Sequence, residues 1–368
     1  MGEQQTVLIA GASGLIGQAA VGEFDARPGW NVIASSRRRP KLGGSEQWLQ
    51  LDLSDAAACA SAAGRLTKVT HLVFTAVHEV PGLSPGWFDT EVIERNAVML
   101  RNLMEPLFAV ADLRHISLLQ GTKAYGVHHP SIGAARVRNP LRERDPRQAH
   151  PNFYFEQEDY LRERQPAGGW ELTVFRPTVV YGEATGNNMN LIPVIGAWAA
   201  LLREAGEPLH FPGRQLSAQL KEAVDAGLVG RALVWAAQSP GSAAGTFNLT
   251  NGDTFLWQHA WAAIADALDM AVGEHRPVRL VEELPARSAQ WAALVDRHGL
   301  NAPRDIVDVV GYNSLVYTDQ LLAGHDPAEG PVLNSTIAVR RAGFTECMDT
   351  EDMFRDIFRR LREGRVLP

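Results

Sequence analysis

The run VLIAGASGLIG, residues 7–17, constrains this chain more than any other segment. Four apolar residues, Val7 to Ala10, stop at Gly11. Glycines recur at Gly14 and Gly17, and an apolar helical pattern follows through Phe24. Such a run predicts a first strand, a tight glycine turn and a helix N-terminus. That geometry turns unpaired backbone N–H groups and the positive end of a helix dipole toward a phosphate. Glycines alone can also make a plain turn. Here a second extended segment, Asn31–Ala34, arrives one helix later and completes a β-α-β unit. The expectation is a dinucleotide-binding unit of the Rossmann type, with Gly11, Ser13, Gly14, Leu15, Ile16 and Gly17 at the phosphates.

Strand-like segments at Thr6–Ala10, Asn31–Ser35, Gln47–Leu51, Thr70–Ala76, Arg114–Gln120 and Glu171–Phe175 alternate with helical ones. The helical segments are Leu15–Ala26, Ala56–Ala63, Asp89–Val110 and Phe155–Arg164. Alternation of this kind predicts an α/β fold over residues 1–185, a doubly wound parallel sheet with right-handed crossovers. Beyond Gly182 the pattern changes. Helical stretches at Asn190–Glu204, Leu220–Ala237 and Phe255–Leu268 are separated by short extended pieces, Leu209–Phe211 and Thr246–Leu249. Residues 186–368 are expected to form a smaller, mostly helical substrate lobe over the open end of the sheet, interleaved with the Rossmann core. The polar stretch Gly126–His150 reads as a long surface loop, a length often tied to function.

A chain of 368 residues buries a core with ease, and 45% apolar with 21% charged residues is ordinary for a globular protein. The net charge of −7, with no basic face, argues against nucleic acid as a partner. No apolar run is long enough to span a bilayer. The chain enters its first strand directly, so no signal peptide is expected. Cys59 and Cys347 fit neither a disulfide framework nor a metal cluster, which suits a cytoplasmic protein with reduced thiols.

Strand 2 ends in Ser35-Ser36-Arg37-Arg38-Arg39-Pro40, where NAD-binding units carry a carboxylate for the ribose hydroxyls. A carboxylate would repel a 2′-phosphate, whereas guanidinium forks grip it. Ser36, Arg37 and Arg38 therefore point to NADPH/NADP+ rather than NADH, against the alternative of a solvated basic turn. Asp52 and Leu53, after strand 3, lie where an adenine amino group would be met. Asp52 equally suits a turn or cap before the next helix. Thr75 and Ala76, at the end of strand 4, are small enough to let a pyrophosphate and ribose approach the backbone, or simply end a strand.

Dehydrogenases of this layout usually carry Tyr-x-x-x-Lys on one helix face, where the ammonium lowers the pKa of the phenol. This chain has none. Tyr125, Tyr154, Tyr160 and Tyr181 all lack it, and the fourth place after Tyr154 is Glu158. Lysine is scarce: Lys41, Lys68, Lys123 and Lys221 are all there are. Lys123, in LLQGTKAYG, falls just past strand 5, at the C-terminal edge of the sheet where such folds do their chemistry.

These residues bring out a resemblance to the progesterone 5β-reductase/iridoid synthase-like (PRISE) enone reductases, a branch of the short-chain dehydrogenases. The matching pieces are GASGLIG, SSRRRP, LDLSD, ERNAVMLRNL, QGTKAYG, PNFYFEQED, FRPTVVYG, FNLTNGDTFLWQHAW and RRAGF…VLP, spread from residue 7 to the last. A lysine after strand 5 together with NFYxxxED separates this family from relatives that keep Tyr-x-x-x-Lys. Plant members read TGxKHYxGP where this chain reads GTKAYGVHH, a bacterial-type variant. The resemblance implies NADPH-dependent reduction of the C=C bond of an α,β-unsaturated carbonyl compound. In that chemistry Tyr154 donates a hydrogen bond to the substrate carbonyl and Lys123 supports it, so that both stabilise the enolate. A small enone is the implied partner, and a homodimer is the family habit.

Further candidates carry alternatives. Gln120 closes strand 5 near the cofactor. Pro177, Val179 and Val180 pass beside the nicotinamide or serve as turn and core. Tyr317 matches an aromatic residue that lines the substrate site, or packs. Asn190 reaches the pocket mouth or caps the helix after it. His129 is a weak substrate contact, and His128-His129 lacks further ligands at metal spacing, so no metal is expected. Asn96 and Asn102 suit ties from a helix to a loop, and Trp257 and Trp261 suit the core. Two other functions stand beside enone reduction: a carbonyl reductase or sugar-nucleotide epimerase on the same fold, and a non-catalytic NADP(H)-binding sensor.

Overall fold

The structure, a computed structural model, describes residues 4–40, 44, 46–129, 132, 137–214, 219–323 and 330–368. Among these, seven parallel strands form one sheet: β1 (Gln5–Ala10), β2 (Trp30–Ser36), β3 (Gln47–Gln50), β4 (His71–Phe74), β5 (His115–Leu119), β6 (Glu171–Pro177) and β7 (Gly245–Leu249). The helices that bear on the argument are α1 (Leu15–Asp25), α2 (Ala56–Ala62), α3 (Thr90–Val110), α4 (Phe153–Gly168), α5 (Leu191–Glu204) and α6 (Ala226–Gln238).

Period-two alternation places this sheet between two helical layers. In β1, Val7 and Ile9 join a core with Phe24 of α1 and Leu228 of α6. Leu8 and Ala10 join the opposite core, with Leu100 of α3 and Leu161 of α4. The strand order is β7-β6-β5-β4-β1-β2-β3. It reverses between β1 and β4, and the crevice at that reversal is where doubly wound sheets bind ligands. The Gly11 turn follows β1 and Thr75-Ala76 follow β4, so both face the crevice.

β7 and α6 come from the second half of the chain, yet they complete the sheet and cover one of its faces. The rest of that half packs around α5. Every residue from Leu191 to Leu202 in α5 is buried, Trp198 among them, and Trp261, Trp291 and Phe354 belong to the same core. Trp257 also lies in this core, while the indole N–H groups of Trp198 and Trp261 donate to the His210 and Leu209 carbonyls at 3.0 and 3.1 Å.

Several helices differ from the periodicity in their starts, three of them instructively. The stretch predicted from Leu220 becomes helical only at Ala226. Val224–Asp225 first pairs with Val180–Tyr181 as a short parallel ladder, and the Asp225 carboxylate then accepts the Leu228 amide at 2.9 Å as the cap. α4 starts two residues earlier than predicted, because Asn152 accepts the Tyr154 amide at 3.0 Å. α5 starts at Leu191, with Asn190 as its cap. The stretch Gly126–His150 is mostly irregular where described, tied down by a bridge between Leu141 and Asn334. Residues 130–131 and 133–136 of that stretch, and Lys41, lie outside the described residues. Among the described residues no helix is long and apolar enough to cross a membrane.

Candidate active site

A cavity of about 330 Å³ opens at the C-terminal edge of the sheet. Its floor is the glycine turn. Gly11 has φ +91°, and a Cβ there would lie 2.7 Å from both the Ala76 amide nitrogen and the Thr75 hydroxyl. A Cβ at Gly17 would collide with the Gly11 carbonyl. These two positions therefore need glycine, for backbone conformation and close approach respectively. Gly14 caps α1 without a side-chain acceptor, so the first-turn amides of Leu15, Ile16 and Gly17 are left for a ligand. Thr75 is held by its hydroxyl, which donates to the Ala10 carbonyl at 2.9 Å.

Ser13, Ser36, Arg37, Arg38, Asp52, Leu53, Gln120, Pro177 and Val180 line the same cavity. Arg37 and Arg38 are exposed, and neither guanidinium has an ion-pair partner among the described residues. Arg39 turns away, over the ring of Trp48 at 5.8 Å. Asp52 combines its two expected roles. Its carboxylate accepts the Ser54 amide at 2.9 Å and it also faces the cavity, whereas Asp55 caps α2. Acceptor-free amides, a floor that any side chain would fill, and unpaired guanidiniums at one end fit a phosphate-bearing dinucleotide.

The other end holds Lys123 and Tyr154. Lys123 sits in a single 3-10 turn, Thr122–Tyr125, directly after β5, and Tyr154 sits in the first turn of α4. Asn152 ties the two together: its oxygen accepts the Tyr154 amide and its nitrogen donates to the Lys123 carbonyl at 3.1 Å. Trp87, from the 3-10 turn Ser84–Trp87, is the surface they share. The Lys123 ammonium lies 3.6 Å over its ring, and the Tyr154 ring meets it edge-on at 5.3 Å. Met189 offers its sulfur to the same ammonium at 3.4 Å. Burial pulls Lys123 down to about 8, with the Glu79 carboxylate opposing. Burial, then Glu79 and Tyr317, push the Tyr154 phenol well up, against Arg176. Tyr154 is thus a neutral hydrogen-bond donor at any ordinary pH.

Glu158, the position where a Tyr-x-x-x-Lys protein carries its lysine, faces away from this pair. It accepts from Gln120 at 2.9 Å and from Arg162 at 2.8 Å, with Arg147 at 3.2 Å and Arg176 at 3.5 Å. Burial works against its charge, but the Arg162 and Gln120 hydrogen bonds and the nearby guanidiniums outweigh burial and hold its pKa below the usual value. Gln120 also donates to the Tyr154 carbonyl at 3.1 Å and accepts from Arg176 at 2.8 Å. A buried polar network of this kind fixes the first turn of α4 from below.

Of the weaker substrate candidates, Tyr317 and Val179 line the cavity. Asn190 does not. It is fully buried and caps α5, while its nitrogen donates to the Gly182 and Ala184 carbonyls. His129 also lies off the cavity wall, against Phe88 and His150. Asn96 and Asn102 are ties, to the His78 backbone and the Leu53 carbonyl. Sequence reasoning missed Trp87, Glu79 and Met189. All three sit on irregular segments, where no periodicity marks a residue. The one available signal was a lone tryptophan inside a loop rich in Gly and Pro.

Known proteins resemble this chain in sequence and in fold. A family model described as a PRISE-like Rossmann-fold domain matches residues 53–368. The (S)-8-oxocitronellyl enol synthase CYC2 of Camptotheca acuminata is 28% identical over 380 residues, spanning 99% of this chain and 94% of that protein. The 3-oxo-Delta(4,5)-steroid 5-beta-reductase of Arabidopsis thaliana is 30% identical over 312 residues, 81% of this chain and 78% of that protein. Among solved structures, the UDP-glucose 4-epimerase of Thermus thermophilus, in complex with NAD, superposes with a TM-score of 0.64 at 18% identity, covering 97% of this chain and 99% of that one. At that identity the last likeness speaks for the fold alone.

Proposed function

This chain belongs to the PRISE-like Rossmann-fold family, and from that premise we propose that it is an NADPH-dependent reductase of the C=C bond in α,β-unsaturated carbonyl compounds. The observation that carries the reading is the meeting of Lys123 and Tyr154, from separate elements, on the Trp87 indole at the cavity wall. A reduced nicotinamide supplies a hydride when bound. The residues do the rest. Tyr154 donates its phenol hydrogen to the substrate carbonyl oxygen. As the β-carbon is reduced, negative charge gathers on that oxygen, and the Lys123 ammonium faces it. A preorganised donor of this kind contributes roughly 3–4 kcal/mol to the transition state. Solvent then supplies the proton at the α-carbon, giving a saturated ketone. Arg37 and Arg38 select the 2′-phosphate by charge and by fork geometry.

Purified protein with NADPH and 2-cyclohexen-1-one, progesterone and linear enones tests the reading, with products identified by mass spectrometry and NMR. Saturated carbonyl products support it. Allylic alcohols would assign a carbonyl reductase instead, and no NADPH consumption on the whole panel would overturn catalysis on enones.

A further inference from the structure

Among the described residues, Glu79 is the charged group acting on Lys123 that the proposed reaction leaves unused. It lies in the loop between β4 and α3, and that loop is strapped on both sides of it. Asn96 of α3 accepts the His78 amide at 2.7 Å and donates to the His78 carbonyl at 2.9 Å. Asn313, in the helix Tyr312–Leu322, accepts the Gly82 amide at 2.9 Å and donates to the Val80 carbonyl at 3.0 Å. The backbone on both sides of Glu79 is therefore held in place, and both carboxylate oxygens are shut off from solvent with no close, well-aligned hydrogen bond, the Trp87 and Asn188 side chains being the donors that bear on them. A side chain so placed is costly unless an opposite charge faces it.

Lys123 is that charge. Glu79 shares a small void with Trp87 and Phe153, and Lys123 lies on the face of the same indole. The ammonium is itself under-served. Its near contacts are a π-face and a thioether, and it makes no direct ion pair among the described residues. We propose that Glu79 is the counter-charge that keeps Lys123 a cation inside the site, beside the Trp87 indole that both adjoin. It is a positioning residue, acting on the reaction through Lys123.

The other groups facing the pair do not carry this role. His128, on the segment of Lys123, is kept neutral by burial and by Lys123 itself, down at about 3. Tyr154 from α4 and Tyr317 from the helix Tyr312–Leu322 are both pushed up by burial, with Glu79 adding to it, and stay neutral. Arg176 from β6 bears on Tyr154. Among the groups acting on Lys123, burial lowers its pKa and Glu79 alone raises it. The trapped carboxylate is raised by its own burial, while the Lys123 charge and the Trp87 and Asn188 side chains favour its ionised form.

The role in turnover rests on the proposed reduction; the charge relation does not, so the test reads both. With only four lysines in the chain, 13Cε-lysine labelling gives few resonances, and Lys123→Met assigns the one that matters. In Glu79→Gln the Lys123 midpoint should fall by about one pH unit or more from its place near 8. Glu79→Asp, which keeps the charge, should stay close to wild type. Should the amide fail to fold, Glu79→Met replaces it for the same titration. In turnover, the alkaline limb of kcat should move down with the midpoint, so Glu79→Gln loses about fivefold near pH 8, about tenfold near pH 9 and almost nothing near pH 6. An unmoved Lys123 midpoint in a folded Glu79→Gln protein overturns the proposal, as does an activity loss equal at every pH. A wild type that reduces no enone overturns the proposed function, while the lysine titration still decides the role of Glu79.

Discussion

Replacing Tyr154 with Phe removes one oxygen that the fold does not use. The phenol makes no hydrogen bond among the described residues. It faces the cavity beside Gly121, where even an added Cβ would lie 3.4 Å away. The ring keeps its edge-on contacts with Trp87 and Phe153, at 5.3 and 4.7 Å. Stability should therefore change by no more than about 0.5 kcal/mol, as for a site without a buried partner. Catalysis should suffer far more. In the proposed reaction the hydroxyl is a neutral donor to the oxygen on which an enolate would develop, and losing such a donor lowers kcat by about 100- to 1000-fold. KM for the enone should move little, because a ground-state carbonyl accepts a weaker bond than an enolate. Steady-state NADPH consumption with 2-cyclohexen-1-one, beside a thermal melt, reads both quantities. Lys123→Met should also lower kcat, and the double variant should lose less than the product of the single losses, since both groups serve one oxygen. A folded Tyr154→Phe enzyme with kcat within about tenfold of wild type would refute the argument, since the phenol could then not be the donor that catalysis depends on.

Arg37→Ala and Arg38→Ala should each raise KM for NADPH by about tenfold, the value of one charge-assisted contact, with little change for NADH. The effect should shrink as salt screens these exposed groups, and equal losses on both cofactors would place the arginines elsewhere. A separate expectation concerns acid. His71 and His115 open β4 and β5 side by side, with rings 6.1 Å apart, and burial pulls them from 6.5 to about 4 and about 3. Above pH 6.5 both are neutral in the folded and unfolded chain. Below it the unfolded chain binds protons that the folded one refuses, so stability drops as pH falls, by up to ~1.4 kcal/mol per pH unit for each ring, and levels off near the folded values. Urea unfolding across this range should show the slope reduced in His71→Gln; an unchanged slope would remove these histidines as the cause.

The parts of the fold that could be read in advance are those written locally. Val7 to Phe24 spells a strand, a turn and a helix within one window, and neighbouring residues decide each step. The place of β7 is different. GTFNL is a short apolar piece with no marker of its partner, and only the packing of α6 on α1 brings it beside β6. The same division holds at the site. The glycine floor and the basic end of β2 have a spacing that chemistry dictates. Lys123 and Tyr154 came into view through the absence of a motif and through resemblance. What joins them, the Trp87 indole and the Asn152 amide on the Lys123 carbonyl, depends on contacts across 29 and more residues, and such contacts leave no periodic trace.

Glu158 explains why the cation arrives from a different element. A lysine at that position would not reach the phenol, since the side chain there points into a buried cluster with Arg176, Arg162 and Arg147. It would instead set a fourth positive charge among three, with the Asp159 carboxylate on Arg147 the only ion-pair partner left to them among the described residues, where burial already penalises charge. With Glu158 in place the three guanidiniums have a shared acceptor, and Gln120 is locked between Glu158 and Arg176 with a donor left for the Tyr154 carbonyl. The tyrosine is thus fixed through its own backbone rather than by a lysine one helical turn away. Its ring is free to rest on Trp87, and the turn after β5 brings Lys123 to the same indole, where the proposed reaction has both groups serve one substrate oxygen.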